Sequence, residues 1–369
     1  MMNQTSSYQQ GFTLVELMIA SALGIFLMGA IIQVFNQSRA TVTLNQSVNE
    51  IQDRGRTLLN HLAFNIKQRG YQGCLPPMSL NVDNVDAIDW ANEASVTPLA
   101  AVLADMPYAM TSLLAYEVNN AGTFAPVPAT TDMQNLQNGD LDRTPRPNSD
   151  IIHVEYGDRR SVTLFSEMNT ELSSIEIEGN PLGFSVGDLI MIGDCTGADI
   201  VEITSMATSG GGITTIEHAA GLNRNARLSK PYDTTARVRK FNYFTYFVAD
   251  SERETVTGDT IYSLYRADHQ ENLVELSDGI EFLQMSYKQE SAQGVQDMTA
   301  DDINFDPMKV TGLELGLLIT GHKNVLMNND SKLYRLPGAI IGPNQRADYG
   351  RNKLLKTPFR THVDIKNRA

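Results

Sequence analysis

Four groups of residues in this chain have the types and spacing that chemistry uses. The first is Glu16, a lone carboxylate near the start of a long apolar run. The second is the pair Cys74 and Cys195, the only two cysteines. They are too few for a tetrahedral thiolate zinc site or a disulfide-dense miniprotein. The third is Gly183-Phe184-Ser185-Val186-Gly187, which matches G-x-S-x-G, the turn that presents a nucleophilic serine in α/β hydrolases. That turn needs a helix directly after the serine, and here Gly187-Asp188 leads into the strand-like Leu-Ile-Met-Ile. A chance match in a β turn is therefore the better reading. The fourth is carboxylate clusters, Asp83/Asp86/Asp89 and Asp297/Asp301/Asp302/Asp306. The first is spaced by three rather than by the alternate spacing of a calcium loop, and both read as solvated loops. Gly210-Gly211-Gly212 lacks the lysine of a phosphate loop and reads as a hairpin turn. His61, His153, His218, His269, His322 and His362 are scattered, with no two at metal-ligand spacing. No metal or cofactor site follows from these patterns.

The run around Glu16 sets the architecture. Leu17 to Ile32 carries no charge. Extended from Phe12 to Phe35 it would be about 36 Å long as a helix, enough to cross a hydrocarbon core of about 30 Å. A cleavable secretory signal is disfavoured, because residues 1–11 contain no Lys or Arg and the run is too long. A plain anchor leaves Glu16 unexplained, since a carboxylate at bilayer depth costs roughly 2.5–3.5 kcal/mol. Beyond the run, Leu44, Val48, Ile51, Leu58, Leu59, Leu62 and Ile66 recur at helical spacing. No proline precedes Pro76. One helix is expected from about 13 to 69, about 85 Å long, bare in its first half and amphipathic in its second. Gly70 is a plausible C-cap, and Gly55 and Asn45-Gln46-Ser47 could allow a bend.

Residues 76–147 hold eight of the fourteen prolines and read mostly as long loops, with a short helix near Pro98–Tyr116. From Asp150 onward ten segments read as strands, with clear alternation in Ser173–Glu178 and Lys240–Val248, as half-buried antiparallel strands require. The expected fold is α+β, one long N-terminal helix packed on a large antiparallel β region. With 43 acidic against 29 basic residues the chain is net −14, which disfavours nucleic acid as a partner. The segment from Arg346 to Arg368 is the exception, with seven basic and two acidic residues. Aromatic interleaving there is thin, so a solvated edge or a face for an acidic neighbour is the simpler reading.

Gly11-Phe12-Thr13-Leu14-Val15-Glu16-Leu17 ahead of an apolar helix resembles the signal of type IV prepilins and type II secretion pseudopilins. The resemblance implies cleavage between Gly11 and Phe12 by the prepilin peptidase and N-methylation of Phe12. Glu16 then becomes the fifth residue of the mature chain and pairs with the new amine, one helical turn away, within a subunit or between neighbours. The uncharged leader departs from the usual basic one. Arg69-Gly70-Tyr71-Gln72-Gly73-Cys74, Gly193–Thr204, Leu273–Tyr287 and the ending from Pro358 resemble PilW-type minor pilins. A pilin-like lollipop is implied: leader 1–11, transmembrane and filament-core helix 12–35, amphipathic spine 36–70, loop-rich insertion 71–149 and β head 150–369. The resemblance implies no enzyme and no cofactor. It implies a place in the inner membrane with the head in the periplasm, and then at the pilus tip. The partners implied are other minor pilins, the major pilin, a tip adhesin, the prepilin peptidase and the inner-membrane assembly platform. In that oxidising compartment Cys74 and Cys195 are expected as a disulfide tying the spine's end to the sheet, rather than as two buried thiols. Two other readings stand beside it: a J-type pseudopilin of type II secretion, and a membrane-anchored periplasmic hydrolase using Ser185.

The signal generates a first test. Gly11 puts no side chain at the scissile position, so Gly11→Val should leave the chain uncut by intact mass; cleavage between residues 11 and 12 in that variant would contradict the motif assignment.

Overall fold

A computed structural model describes residues 13–74, 113–126, 136–137, 142–220, 223, 226–270, 272–302, 304–305, 309–343, 349 and 352–365. Helix α1 (Leu14–Gln68) is one unbroken helix of 55 residues, about 82 Å long. Every residue from Leu14 to Val42 is exposed. From Ser47 a single stripe is buried: Ser47, Ile51, Gly55, Leu58, Leu59, Leu62, Ala63 and Ile66. Those spacings keep one face turned inward for more than five turns. Arg69 caps the helix, and Gly70 follows at φ 63°, the left-handed conformation that suits glycine.

The β region comprises, among the described residues, two large sheets, a three-stranded sheet and a small hairpin, all antiparallel. The first sheet runs β12 (Leu273–Asp278), β11 (Thr260–Ala267), β10 (Arg237–Glu254), β3 (Ile151–Gly157), β1 (Leu113–Val118) and β2 (Phe124–Ala125). Strand β10 is 18 residues long and serves two neighbourhoods. Its second half pairs β3 and β11, while its first half pairs β4 (Val162–Thr163) and β6 (Leu189–Gly193), and β6 pairs β7 (Ala198–Glu202). The second sheet runs β14 (Gly294–Met298), β13 (Ile280–Ser291), β15 (Val310–Asn324) and β18 (Leu354–Asp364). Beside them lie β5 (Ile175–Glu178), β9 (Ile213–Glu217) and β8 (Ser205–Thr208) as a sheet, and the hairpin β16 (Tyr334–Leu336) with β17 (Ala339–Ile341). The chain crosses from first to second sheet at Gly279, φ 71°, where a Cβ would stand 2.6 Å from the Thr320 carbonyl oxygen.

The main core is where both sheets meet α1. Ile152, Val154, Tyr246, Val248 and Leu264 come from the first sheet, and Leu283, Met285, Leu313, Leu315, Leu317 and Ile319 from the second. Ile51, Leu58, Leu59, Leu62 and Ile66 close it, each contributing about 1.5–3 kcal/mol if exposed otherwise. One polar contact sets the helix's rotation. The Asn65 amide is buried, donates from Nδ2 to Tyr246 OH at 2.8 Å, and accepts at Oδ1 from Tyr156 OH at 2.8 Å. Rolling α1 by one residue would leave a buried amide and two phenols unpaired, about 1–3 kcal/mol each. Burial pushes the Tyr156 phenol up to about 12. A second core lies around β5, β6, β7 and β9, with Leu164, Ile177, Ile192, Val201, Ile203, Ile216 and Tyr232.

The fold is the α+β arrangement expected, and each of the ten segments read as strands contains one. Three local expectations need correction. Leu113–Tyr116, read as the end of a short helix, belongs to strand β1, because Leu113 and Ala115 fill the main core while Tyr116 and Val118 fill the opposite face of the sheet. Within the stretch read as loop-rich, β1 and β2 thus extend the head's own sheet, and residues 75–112 lie outside the described residues. Gly55 is not a bend. A Cβ there would stand 2.6 Å from the Phe359 ring of β18, so the glycine lets that ring lie against the helix backbone.

That contact gives a test by sign. Gly55→Ala normally gains about 1 kcal/mol of helix propensity, but here the methyl displaces Phe359. The single variant should be no more stable than wild type, while in a Phe359→Ala background the same change should stabilise by about 1 kcal/mol. Thermal unfolding of the full chain in detergent measures both; equal effects in the two backgrounds would show that the ring is not seated on Gly55.

Candidate functional site

Two places on α1 carry the residues singled out by sequence. At its N-terminus Thr13 is the N-cap. Thr13 Oγ1 accepts from the Glu16 amide at 3.2 Å, and the Glu16 carboxylate accepts from the Thr13 amide at 3.1 Å and from its hydroxyl at 3.0 Å. This is a reciprocal capping box. Thr-Leu-Val-Glu is the S/T-x-x-E pattern that signals such a box, so this role of Glu16 is readable in the sequence alongside that of an amine partner. Gly11 and Phe12 lie outside the described residues. The box places the carboxylate at the positive end of the helix dipole. Further along, Ser21, Thr41 and Thr43 bond their hydroxyls to carbonyls four residues earlier at 2.8, 2.9 and 3.0 Å, so these side chains add no unmet donor to the bare half. Among the described residues, α1 is the one helix long and apolar enough to cross a membrane.

At the other end of α1 the chain is clamped to the first sheet. The Gly70 amide donates to Glu155 O at 2.8 Å and the Gly157 amide to Tyr71 O at 2.9 Å, so residues 70–71 run along β3. Arg239 on β10 stacks over the Tyr71 ring at 5.4 Å and donates to Asp158 O at 3.3 Å. Cys74 is joined to Cys195 by a disulfide across a sequence separation of 121, with the Cα atoms 5.0 Å apart. Cys195 sits in the β6–β7 turn, which Asp194 builds by accepting from the amides of Thr196 at 2.7 Å and Gly197 at 3.1 Å. The disulfide forms part of the wall of an open cleft of about 810 Å³, with Tyr71, Lys230, Arg237 and Arg239 also on its walls. Lys230 Nζ lies 2.5 Å from Asp194 Oδ2. Burial would raise the Asp194 carboxyl, but Lys230 and Thr196 outweigh it and hold it below its ordinary value.

Among the described residues, the remaining candidates are held by local contacts. Ser185 is exposed in the turn before β6, its amide donating to Asp188 Oδ2 at 3.0 Å. His269 Nε2 donates to Gly187 O at 2.8 Å, two residues beyond the serine. Asp297 pairs with Lys288 at 2.6 Å, Asp301 accepts from Thr299 Oγ1 at 2.6 Å, and Asp302 accepts from the Asn304 amide at 2.8 Å. Asp83, Asp86, Asp89 and Asp306 lie outside the described residues. Gly210-Gly211-Gly212 forms the turn between β8 and β9, with Gly212 at φ 78°. Among the described residues no group of three or more His, Cys, Asp or Glu could hold a metal ion.

Sequence reasoning missed the buried polar groups. Arg146 lies between the rings of Tyr262 and Phe282 at 3.7 and 4.0 Å and bonds the Glu281 carboxylate at 2.6 Å. His153 bridges Thr245 Oγ1 at 2.9 Å and Glu155 Oε1 at 2.8 Å, an order of groups that catalysis also uses, but all three side chains are buried. No one-dimensional signal marks either, because the partners are brought together only by strand pairing.

The clamp generates a prediction. Cys74→Ser or Cys195→Ser should lower the thermal stability of the full chain by an amount up to about 4–5 kcal/mol, the loop-entropy value for a closure of this length. Protein isolated without reductant should show no alkylatable thiol before reduction and two after it. Two thiols without reduction, and unchanged unfolding in the serine variants, would contradict the clamp.

Comparison with known protein families agrees with the N-terminal geometry. Residues 6–32 match the prokaryotic N-terminal methylation motif. No curated protein sequence matches the chain. The chain therefore carries a prepilin-type N-terminus and is pilin- or pseudopilin-like, with one N-terminal apolar helix that fits anchoring in the inner membrane and a β region that stays outside it.

Proposed function

We propose that this chain is a non-enzymatic minor pilin of the PilW type, placed near the tip of a type IV pilus in the complex that primes assembly. The observation that carries the reading is the division of α1: one continuous helix, bare and apolar from Leu14 to Val42 and docked on the head from Ser47 onward, opening on Thr13-Leu-Val-Glu16. Such a helix can move from lipid into a bundle of like helices without refolding. The prepilin peptidase cuts between Gly11 and Phe12 and the new amine is methylated. Other minor pilins, the major pilin, a tip adhesin and the inner-membrane assembly platform are the partners, and the clamp at Cys74 and Cys195 transmits load between spine and head in the periplasm.

Glu16 has two jobs in this scheme. Before assembly its carboxylate is occupied by the capping box with Thr13. In the filament it meets the Phe12 amine of its own or a neighbouring subunit, which removes two costly unpaired charges together and fixes the axial stagger. A J-type pseudopilin of type II secretion would use the same physics in a different machine, and neighbouring pilus or secretion genes separate the two.

Glu16→Ala tests the scheme. The variant should insert and be cut as wild type, because losing a charge eases insertion. It should fail to prime pili. Normal piliation, in a strain with no redundant subunit, would count against the pairing.

A further inference from the structure

Among the described residues, strand β18 is an edge of the second sheet with no further strand beside it. The Ile365 amide donates to Thr311 O at 3.1 Å, and the register from Gly312↔Asp364 to Ile319↔Thr357 continues that pairing. Odd-numbered residues of β18 therefore turn their N–H and C=O toward β15, and even-numbered ones turn theirs outward. Pro358, which lacks an N–H, falls on an outward position. The outward backbone groups of Arg360, His362 and Asp364 bond nothing among the described residues. Their side chains are exposed as well, while Phe359 and Val363 turn inward toward the core.

This edge differs from the others. β2 has two residues, β14 five and β12 six, whereas β18 has 11. An unpaired edge of that length is a template for another strand. It also borders a group of cations. The Arg360 guanidinium donates to the Arg335 carbonyl of β16, which sets these two arginines on neighbouring strands. Lys332, Arg335, Lys353 and Arg360 have no carboxylate partner among the described residues. In a chain of net charge −14 this is a local basic strip. Asp364, paired with His362 at 3.0 Å, is the one acid on the open stretch.

We propose that the edge of β18 from Pro358 to Asp364 is a strand-addition site for an extended acidic segment of another protein. The backbone of that segment takes the outward N–H and C=O groups, as in β-augmentation. A carboxylate falls opposite Arg360, and a neutral or basic side chain falls opposite Asp364. The site stands whether or not the chain works in a filament. Nucleic acid would meet the same cations, but it has no use for an open backbone edge, and the one aromatic on the strand, Phe359, is packed against Gly55.

The test uses the full chain in detergent and a seven-residue peptide of alternating valine and glutamate, with the valine–lysine peptide and duplex DNA as comparators. Residue-resolved hydrogen exchange should show the Arg360, His362 and Asp364 amides slowed about tenfold or more by the acidic peptide alone. Arg360→Glu should weaken peptide binding about tenfold. His362→Pro removes one outward N–H, leaves every bond to β15 in place, and should abolish the protection. Unchanged unfolding temperature shows that each variant is folded, and either one suffices. No protection at millimolar peptide, equal protection by the lysine peptide, or protection by DNA instead would overturn the proposal.

Discussion

One stripe of α1, from Ser47 to Ile66, closes the inner faces of two sheets at once, and the main core draws on all three. The stripe fixes the helix in depth through Leu58, Leu62 and Ile66, in rotation through Asn65 between Tyr156 and Tyr246, and in distance through Gly55 under Phe359. The remaining features answer to that placement. Gly70 ends the helix where β3 begins to pair with residues 70–71, and the disulfide then fastens this end to the β6–β7 turn. Arg54 extends the hold by pairing with Asp278 at 3.1 Å, beside the crossover at Gly279.

The same placement leaves the other half of the helix without a partner in its own chain. Large apolar side chains from Leu14 to Phe35 are exposed all round, among them Phe26 and Ile25 at more than 70%. A monomer in water does not keep an apolar surface of that extent uncovered. The capping box at Thr13 and Glu16 satisfies the helix end locally, so the one charge in the run need not await a partner to be hydrogen-bonded. Burying this half in lipid, or against copies of the same kind of helix, is then a matter of apolar contact, and a prepilin-type N-terminus supplies the route to both.

Much of this was legible in one dimension, for identifiable reasons. The helix was, because its period holds through the spine and no proline interrupts it. Ten of the sixteen strands after Asp150 were, because Gly, Asn, Asp and Pro bound them. Strand β1 was not, because Leu113–Val118 fills two cores from its two faces and so shows no alternation, which reads equally as buried helix. β18 was seen as a basic stretch rather than a strand, because an edge strand with one solvated face and a proline carries little β signal. Glu16 stood out by its charge, and its Thr13 partner did not, although the spacing was in view. The Asn65 contacts and the buried Arg146–Glu281 pair were beyond reach, since each depends on a register that only the folded sheets define.

The claim that the first half of α1 is covered by lipid and the second by its own head can be read directly from a nitroxide scan. Spin labels placed singly at positions 14–68 of the full chain in native membranes report collisions with oxygen, which is lipid-soluble, and with a polar nickel chelate, which is not. From Leu14 to Phe35 oxygen access should be high on every face of the helix and chelate access low. From Ser47 to Gln68 both should oscillate at the helical period, with minima at Ile51, Leu58, Leu62 and Ile66. High chelate access in the first half, or a buried stripe there like that of the second, would contradict the account.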